Sequence, residues 1–315
     1  MSSKLAVIAI GGNSLITDPA QPGIPEQWRA VEETCTHITD MIVNSWDVII
    51  THGNGPQVGF NLRRSELGEA HDMHPLPLDL IVAHTQGSIG YMLQQALDNT
   101  LRSHGINRTI TTIVTQVRVD HDDPAFETPT KPIGSFMQKD EARRYETEGW
   151  VVKEDAGRGW RRMVPSPKPQ AIQEINAIKT LYQSGYIVIA SGGGGIPVVR
   201  DEQGNLRGIY AVIDKDYASS LLAQQMRADL FIISTSVRHV ALHFNTPEQV
   251  DLDQLTLTQA RQYLAEGHFA AGSMLPKIQA AVEFVRMGGP KAIITNPVNL
   301  TDALHGKAGT HILPG

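Results

Sequence analysis

The sequence has a single cysteine, Cys35, so it cannot close an internal disulfide. Cys35 falls in a predicted helix, where a packed thiol is the expected state, and it is assigned no role. No apolar run approaches the ~18 residues of a membrane span. From Met1 to Leu5 the chain leads straight into a strand-like segment without a signal-peptide pattern, so a soluble, cytoplasmic protein with no membrane partner is expected. There is no basic tract, and a formal charge of −6 argues against a nucleic-acid surface. Any anion site must therefore be local. No Walker pattern, dinucleotide fingerprint, His-Glu-x-x-His or internal repeat is present. His71 and His74 lie near Pro75 without other obvious ligands, and His239 with His243 fits one face of an alternating segment, so solvated or packed histidines are expected.

What is present is a chain of 315 residues, 41% hydrophobic, long enough to bury a substantial core. Short apolar runs at 5–10, 47–51, 109–115, 186–190, 229–234 and 292–295 read as buried strands. Between them, amphipathic stretches at 26–44, 78–104, 169–184, 216–227 and 276–287 read as helices. This alternation predicts an α/β fold with a mostly parallel sheet covered on both faces. Residues 124–167 break the rhythm with proline and charge. They are expected to form an inserted, lid-like subdomain between core segments 1–123 and 168–315, because structureless loops of that length are uncommon in compact domains. Trp160 is expected to pack that subdomain. Thr17 to Gly23 reads as a mobile loop, and Glu66 and Glu69 with Arg63 and Arg64 as a solvated helix face.

Three glycine clusters follow predicted strands: Gly11-Gly12-Asn13-Ser14, Gly53-Asn54-Gly55 and Gly192 to Gly195. Ligands of open parallel sheets bind beyond the strand carboxyl ends, where glycine lets backbone N–H groups approach an anion. Three clusters in equivalent places point to a polyanionic ligand. Val212-Ile-Asp-Lys-Asp216 enters a helix beginning near Asp216, which could simply cap it. Lys215 is harder to dismiss, because a cation at a helix N-terminus needs a compensating anion, and a bound phosphate would supply one. Lys277, after Gly272-Ser-Met-Leu-Pro276, poses the same question at a second helix start. Lys131 sits between Pro129 and Pro132, a setting equally suited to a rigid turn and to a functional role.

Taken with Ala9 to Asn13, Thr51 to Gly59, Thr85-Gln-Gly, Pro129 to Gly134, Glu154 to Arg161, Pro165-Ser-Pro167, Ser191 to Pro197, Ala211 to Asp216 and Gly267 to Lys277, the chain resembles the carbamate kinases of the amino-acid-kinase superfamily almost end to end. The resemblance implies a three-layer αβα sandwich with a protruding subdomain, a homodimer, and reversible transfer between ATP and carbamate to give carbamoyl phosphate with Mg²⁺. It further implies use toward ATP formation in arginine, purine or related catabolism. Gly11, Gly12, Asn13, Gly53 and Asn54 would hold carbamate or carbamoyl phosphate. Lys131, Lys215 and Lys277 would neutralise the transferring phosphate, and Asp214 and Asp216 would fix the lysines or the metal shell. The nucleotide would lie against Gly193, Gly194, Lys215, Thr235, Ser236, Arg238, Met274 and Lys277. No direct metal ligand is implied, Mg²⁺ being held mainly by phosphates, with Asp216 as the one candidate carboxylate.

One segment departs from the family pattern. Ser234-Thr-Ser-Val-Arg238 carries Ser236 and Arg238 where these kinases usually place acidic residues near the nucleotide. Arg238 could pair with nucleotide phosphate or ribose, or mark altered nucleotide use. The rival readings are a kinase for another small carboxylate and a catalytically idle nucleotide-binding or scaffold relative.

Overall fold

The computed structural model describes residues 4–12, 15, 23–154 and 159–315. In chain order, β1 (Lys4–Ile10), α1 (Ile24–Val43), β2 (Trp46–His52), α2 (Gln57–Glu69) and α3 (Leu78–Ser103) come first. β3 (Ile110–Thr112), β4 (Gln116–Val119), β5 (Lys131–Met137), α4 (Lys139–Thr147), β6 (Val151–Glu154) and β7 (Trp160–Val164) follow. Next are β8 (Pro169–Ile172), α5 (Ile175–Gln183), β9 (Ile187–Ile189), β10 (Ile196–Arg200), β11 (Leu206–Gly208), α6 (Lys215–Met226) and β12 (Leu230–Ser234). The chain closes with β13 (Val240–Leu242), β14 (Val250–Leu252), β15 (Gln254–Thr256), α7 (Leu257–Ala265), α8 (Met274–Arg286), β16 (Ala292–Thr295), α9 (Leu300–Leu304) and β17 (Thr310–Leu313).

The central sheet runs β15-β17-β16-β12-β1-β2-β9-β3. Its neighbours pair in parallel except β16 with β17. Strand alternation divides its side chains between two helical layers. Val7, Ala9, Ile49, Val188, Phe231 and Ile233 face a core completed by Ile178, Leu222, Ile278 and Phe284 of α5, α6 and α8. Ala6, Ile8, Ile10, Ile50, Ile189 and Ile232 face the other, completed by Ile38 and Met41 of α1 and by Leu93 and Leu97 of α3. The sheet is therefore the middle of three layers, which is why its strands are continuous apolar runs. Cys35 is buried in the second core, where desolvation first and Glu32 second push its thiol up to about 12. Among the described residues, no helix is long and apolar enough to cross a membrane.

Two predicted elements needed correction. Residues 169–184 are not one helix: Pro169–Ile172 is β8, antiparallel to β4, and α5 starts only at Ile175. Glu174 accepts from the backbone N–H and side-chain amide of Gln116 (2.7 and 2.9 Å), anchoring the turn between them. Pairing across the fold has overridden local helical periodicity. The predicted strand at 109–115 stops at Thr112, after which Gln86 takes up the Thr115 N–H (2.9 Å) and the chain leaves for a second sheet, β11-β10-β4-β8.

Strands β5, β7 and β6 form an antiparallel sheet of their own, in that order. With α4 it encloses a small core of Met137, Ala142, Tyr145 and Val152, against which Trp150 and Trp160 pack. Trp160 is thus a packing residue, as expected. Glu66 is not on a solvated face: it pairs with Arg162 of β7, while Arg63, Arg64 and Glu69 are exposed. His71 and His74 are exposed on a loop. His239 and His243 flank β13 instead of sharing its face, His239 lying near Asp253 (3.4 Å) and His243 edge-on to His268 (4.9 Å).

Candidate active site

The three glycine clusters sit side by side because β1, β2 and β9 are consecutive in the sheet. The ladder runs on into the loops, with the Gly11 N–H donating to Ser234 O (3.0 Å) and the Gly53 N–H to Ile10 O (2.9 Å). Glycine is needed here for contact between loops as much as for any ligand. A Cβ on Gly12 would lie 2.2 Å from Gly55 O, and one on Gly193 would lie 2.4 Å from the Asn54 amide nitrogen. Gly193 and Gly194 also hold positive φ (66° and 92°), folding backbone amides into a tight concave turn. At these strand ends Ser191 Oγ, Ser234 Oγ and His52 Nε2 are buried without a hydrogen-bond partner among the described residues. Spare polar capacity buried at the strand ends fits a polar ligand.

The lysines reach these strand ends from three separate elements. Lys131 opens β5, Lys215 opens α6, and Lys277 lies in the first turn of α8. Lys131 Nζ donates to Asp214 Oδ2 at 2.5 Å. Lys215 donates to Asp216 Oδ1, and Lys277 to Asp216 Oδ2 at 3.1 Å. The Lys215 stem passes Gly53, where a Cβ would stand 3.3 Å from its Cδ. The helix cap is Asp214, whose Oδ1 accepts the Asp216 N–H at 2.9 Å; Asp216, a candidate cap on sequence grounds, is the counterion of two lysines. The compensating anion for Lys215 at a helix N-terminus is thus built in. Three ammonium groups against two carboxylates still leave one positive charge for a phosphate to meet.

The electrostatics are those of a buried network. Burial opposes ionisation of Asp216, but Lys215 and Lys277 outweigh it and hold the carboxyl well below the usual range. Burial lowers the Lys215 pKa against the pull of Asp216, with Lys277 adding repulsion. For Lys277 the attraction of Asp216 and Asp214 overcomes burial, and its pKa is raised.

Several supporting residues received no role from the sequence. Asn54 Nδ2 donates to Thr85 Oγ1 (3.2 Å), and Gln86 Nε2 donates to Gly192 O (2.9 Å) and Thr115 O (3.1 Å). Thr51 and Ser219 share a hydroxyl hydrogen bond (2.5 Å), and the Ser219 hydroxyl lies 2.6 Å from Lys215 O, fastening β2 to α6. The available signal was a polar pair, Thr85-Gln86, inside the apolar stripe of Ile81, Val82 and Ile89.

His52 is fully buried. Its pKa is lowered to about 4, chiefly by burial; the Nδ1–H bond to Gly53 O (2.9 Å) opposes this and the charge of Lys215 adds to it. Because the folded value lies below the unfolded one of about 6.5, the stabilising contribution is fully present above that pH and is lost as pH falls toward 4. We expect the parent to lose about 2 kcal/mol between pH 7 and 5 from this group, measured by urea midpoints, and His52→Gln to remove that part of the slope. An unchanged slope would show that His52 is not the titrating group.

Thr235, Ser236 and Arg238 follow β12, next to β1 in the sheet. The Thr235 N–H donates to Thr295 O (2.8 Å), Ser236 is exposed, and Arg238 is exposed with Nη2 donating to Lys307 O (3.3 Å). Gly193 and Gly194 follow β9, three strands from β12, and lie instead against Asn54 and Ile213 O. Met274 is the first residue of α8 and packs partly into the core. Asn13, Ser14 and most of the 17–23 loop lie outside the described residues, as do Asp155 to Arg158.

Residues 4–296 match the amino acid kinase family. The chain is 48% identical to the carbamate kinase-like protein YahI of Escherichia coli K12 over 314 residues, 98% of this chain and 99% of that one. It is 47% identical to the carbamate kinase of Pyrococcus furiosus over 313 residues, 99% of each. In structure it superposes on the carbamate kinase of Giardia lamblia bound to citric acid with a TM-score of 0.94 at 39% identity, covering both chains completely. With near-complete coverage at such identities, the chain belongs to the amino acid kinase family and, within it, to the carbamate kinases.

Proposed function

We propose that the chain catalyses reversible phosphoryl transfer between ATP and carbamate, giving ADP and carbamoyl phosphate. The observation that carries this reading is the convergence of Lys131, Lys215 and Lys277 on Asp214 and Asp216 beside the glycine loops of β1 and β2. In the forward direction a carbamate oxygen attacks the γ-phosphorus, the bond from phosphorus to the bridging β-oxygen breaks, and ADP leaves with that oxygen. Charge spreads over the equatorial oxygens in the transition state, so positioned cations contribute more than proton transfer. Carbamate is already an oxyanion and needs no general base.

Gly11, Gly12, Gly53 and the amide of Asn54 would hold the carbamoyl end, with Asn13 completing the loop. Lys215 and Lys277 would face the transferring phosphoryl group and Lys131 would close over it from β5. The nucleotide would lie toward Gly193, Gly194, Thr235, Ser236, Arg238 and Met274. The cofactor would be Mg²⁺ with the nucleotide, offsetting phosphate charge. The residues fit an ion carried mainly by phosphates: both oxygens of Asp216 and of Asp214 already accept hydrogen bonds, which leaves Asp216 as an auxiliary at most. A homodimer in the cytoplasm, run toward ATP formation in arginine or purine breakdown, completes the proposal. The test is ADP-dependent ATP formation from carbamoyl phosphate and Mg²⁺. Turnover is expected; calorimetric nucleotide binding without turnover would replace the kinase with a binding subunit.

A further inference from the structure

The turn of Gly192 to Gly195 is framed by Thr115, which lies in the link between β3 and β4. At its start the Ser191 N–H donates to Thr115 Oγ1 (3.0 Å), and at its end the Ile196 N–H donates to Thr115 O (2.9 Å). Gln86 of α3 holds that frame. Its Oε1 accepts the Thr115 N–H (2.9 Å), while its Nε2 donates to Thr115 O (3.1 Å) and to Gly192 O (2.9 Å). With an N–H at one end and two carbonyls at the other, the amide can sit only one way round. The stem is close as well, since a Cβ on Gly192 would stand 3.2 Å from Gln86 Cγ. Thr115 is fully buried and Gln86 is 1% exposed.

Inside the frame the hydrogen bonding does not close. The Gly194 N–H donates to Ser191 O (3.1 Å) and the Gly195 N–H to Gly192 O (3.0 Å). The N–H groups of Gly192 and Gly193 have no partner among the described residues, although both glycines are buried. Buried backbone N–H groups are nearly always paired, and two adjacent ones in a turn with positive φ form a nest for an anion. Consecutive glycines have more conformational freedom than any other residues, so the turn needs its surroundings to keep that arrangement.

We propose that Gln86 is a positioning residue for the nucleotide: through Thr115 and Gly192 it keeps the Gly192 and Gly193 N–H groups in the arrangement that receives a nucleotide phosphate. The inference rests on the phosphoryl-transfer reading in placing the nucleotide toward this turn. Every hydrogen bond of the Gln86 side chain goes to backbone, so its influence on a ligand passes through the turn. The Asn54 loop is held separately, by Thr85 (3.2 Å), so the carbamoyl end should not feel the loss of Gln86.

The test is calorimetry on the full chain with ADP and with adenosine, which lacks the phosphates. Gln86→Met keeps the approximate volume and loses the three hydrogen bonds to Thr115 and Gly192. Thr115→Val keeps the branched shape and loses only the hydroxyl, so it decides the matter should the first variant fail to fold. Each should weaken ADP by about tenfold and leave adenosine within about twofold. The double variant should lose no more than the weaker-binding single one, because both act on one turn. In turnover the KM for ADP should rise about tenfold and that for carbamoyl phosphate should stay within about twofold, a split that general loosening of the fold would not give. ADP affinity unaltered in the folded variants, or equal losses for ADP and adenosine, would overturn the inference while parent turnover kept the phosphoryl-transfer reading. A parent that binds no ADP would overturn both.

Discussion

Lys215→Ala should lower the rate of ATP formation from carbamoyl phosphate and ADP by about 10²–10³, the usual effect of removing one preorganised donor to a developing charge. The loss should fall mainly on kcat, because Lys215 would meet charge that redistributes as the phosphoryl group moves between acceptors. Its side chain is 11% exposed, and its stem is confined beside Gly53 by the glycine contact that also sets the loop. Another lysine therefore has no obvious route into its position. The fold should survive, because Asp216 keeps Lys277 as a partner. Parent-like kinetics in a folded variant would remove Lys215 from the site; a loss confined to KM would make it a ground-state binding residue.

Asp216→Asn should be the most destabilising single change in the cluster, by about 3–5 kcal/mol at pH 7 in urea unfolding. The amide retains part of the hydrogen bonding but leaves Lys215 and Lys277, 11% and 15% exposed, facing each other without their shared counterion. The sign of the pH dependence follows from the directions of shift. The Asp216 carboxyl is depressed in the folded parent, so its contribution is complete above the unfolded value of about 3.9 and is lost as pH falls below it. The gap between parent and variant should therefore shrink in strong acid. It should also shrink in alkali. Without Asp216, burial and Lys277 lower the Lys215 pKa further, so the folded variant gives up that proton before the unfolded chain does and gains stability as pH rises toward the usual lysine range. A pH-independent gap would mean that the loss comes from packing and not from charge.

How much of this was legible from residues alone differs between features. Six strands of the central sheet, β1, β2, β3, β9, β12 and β16, were readable because a strand covered on both faces is a short apolar run, as Lys4–Ile10 and Ala292–Thr295 are, whereas β15 and β17 at its edge were not read as strands. Residues 169–184 were misread because the β8 pairing with β4 comes from a segment some fifty residues earlier, beyond any local periodicity. At the site, strand-end glycines and lysines at two helix starts could be found from position and helix electrostatics. Lys131 could not, since its Asp214 partner is 83 residues away in sequence. Glu66 looked solvated for the same reason: Arg162, its partner, is 96 residues on.

The glycine loops and the lysines at positions 215 and 277 were thus determined by the sequence itself, because strand alternation, glycine's lack of a Cβ and the charge preference of a helix end are local properties. Their roles were decided by the tertiary structure. Only the adjacency of β1, β2 and β9 shows that the glycines serve loop-to-loop contact, and only the convergence of β5, α6 and α8 divides Asp214 as cap from Asp216 as counterion. Both depend on which distant segments share a small volume. Sheet order and layer packing set that, and no local window contains it.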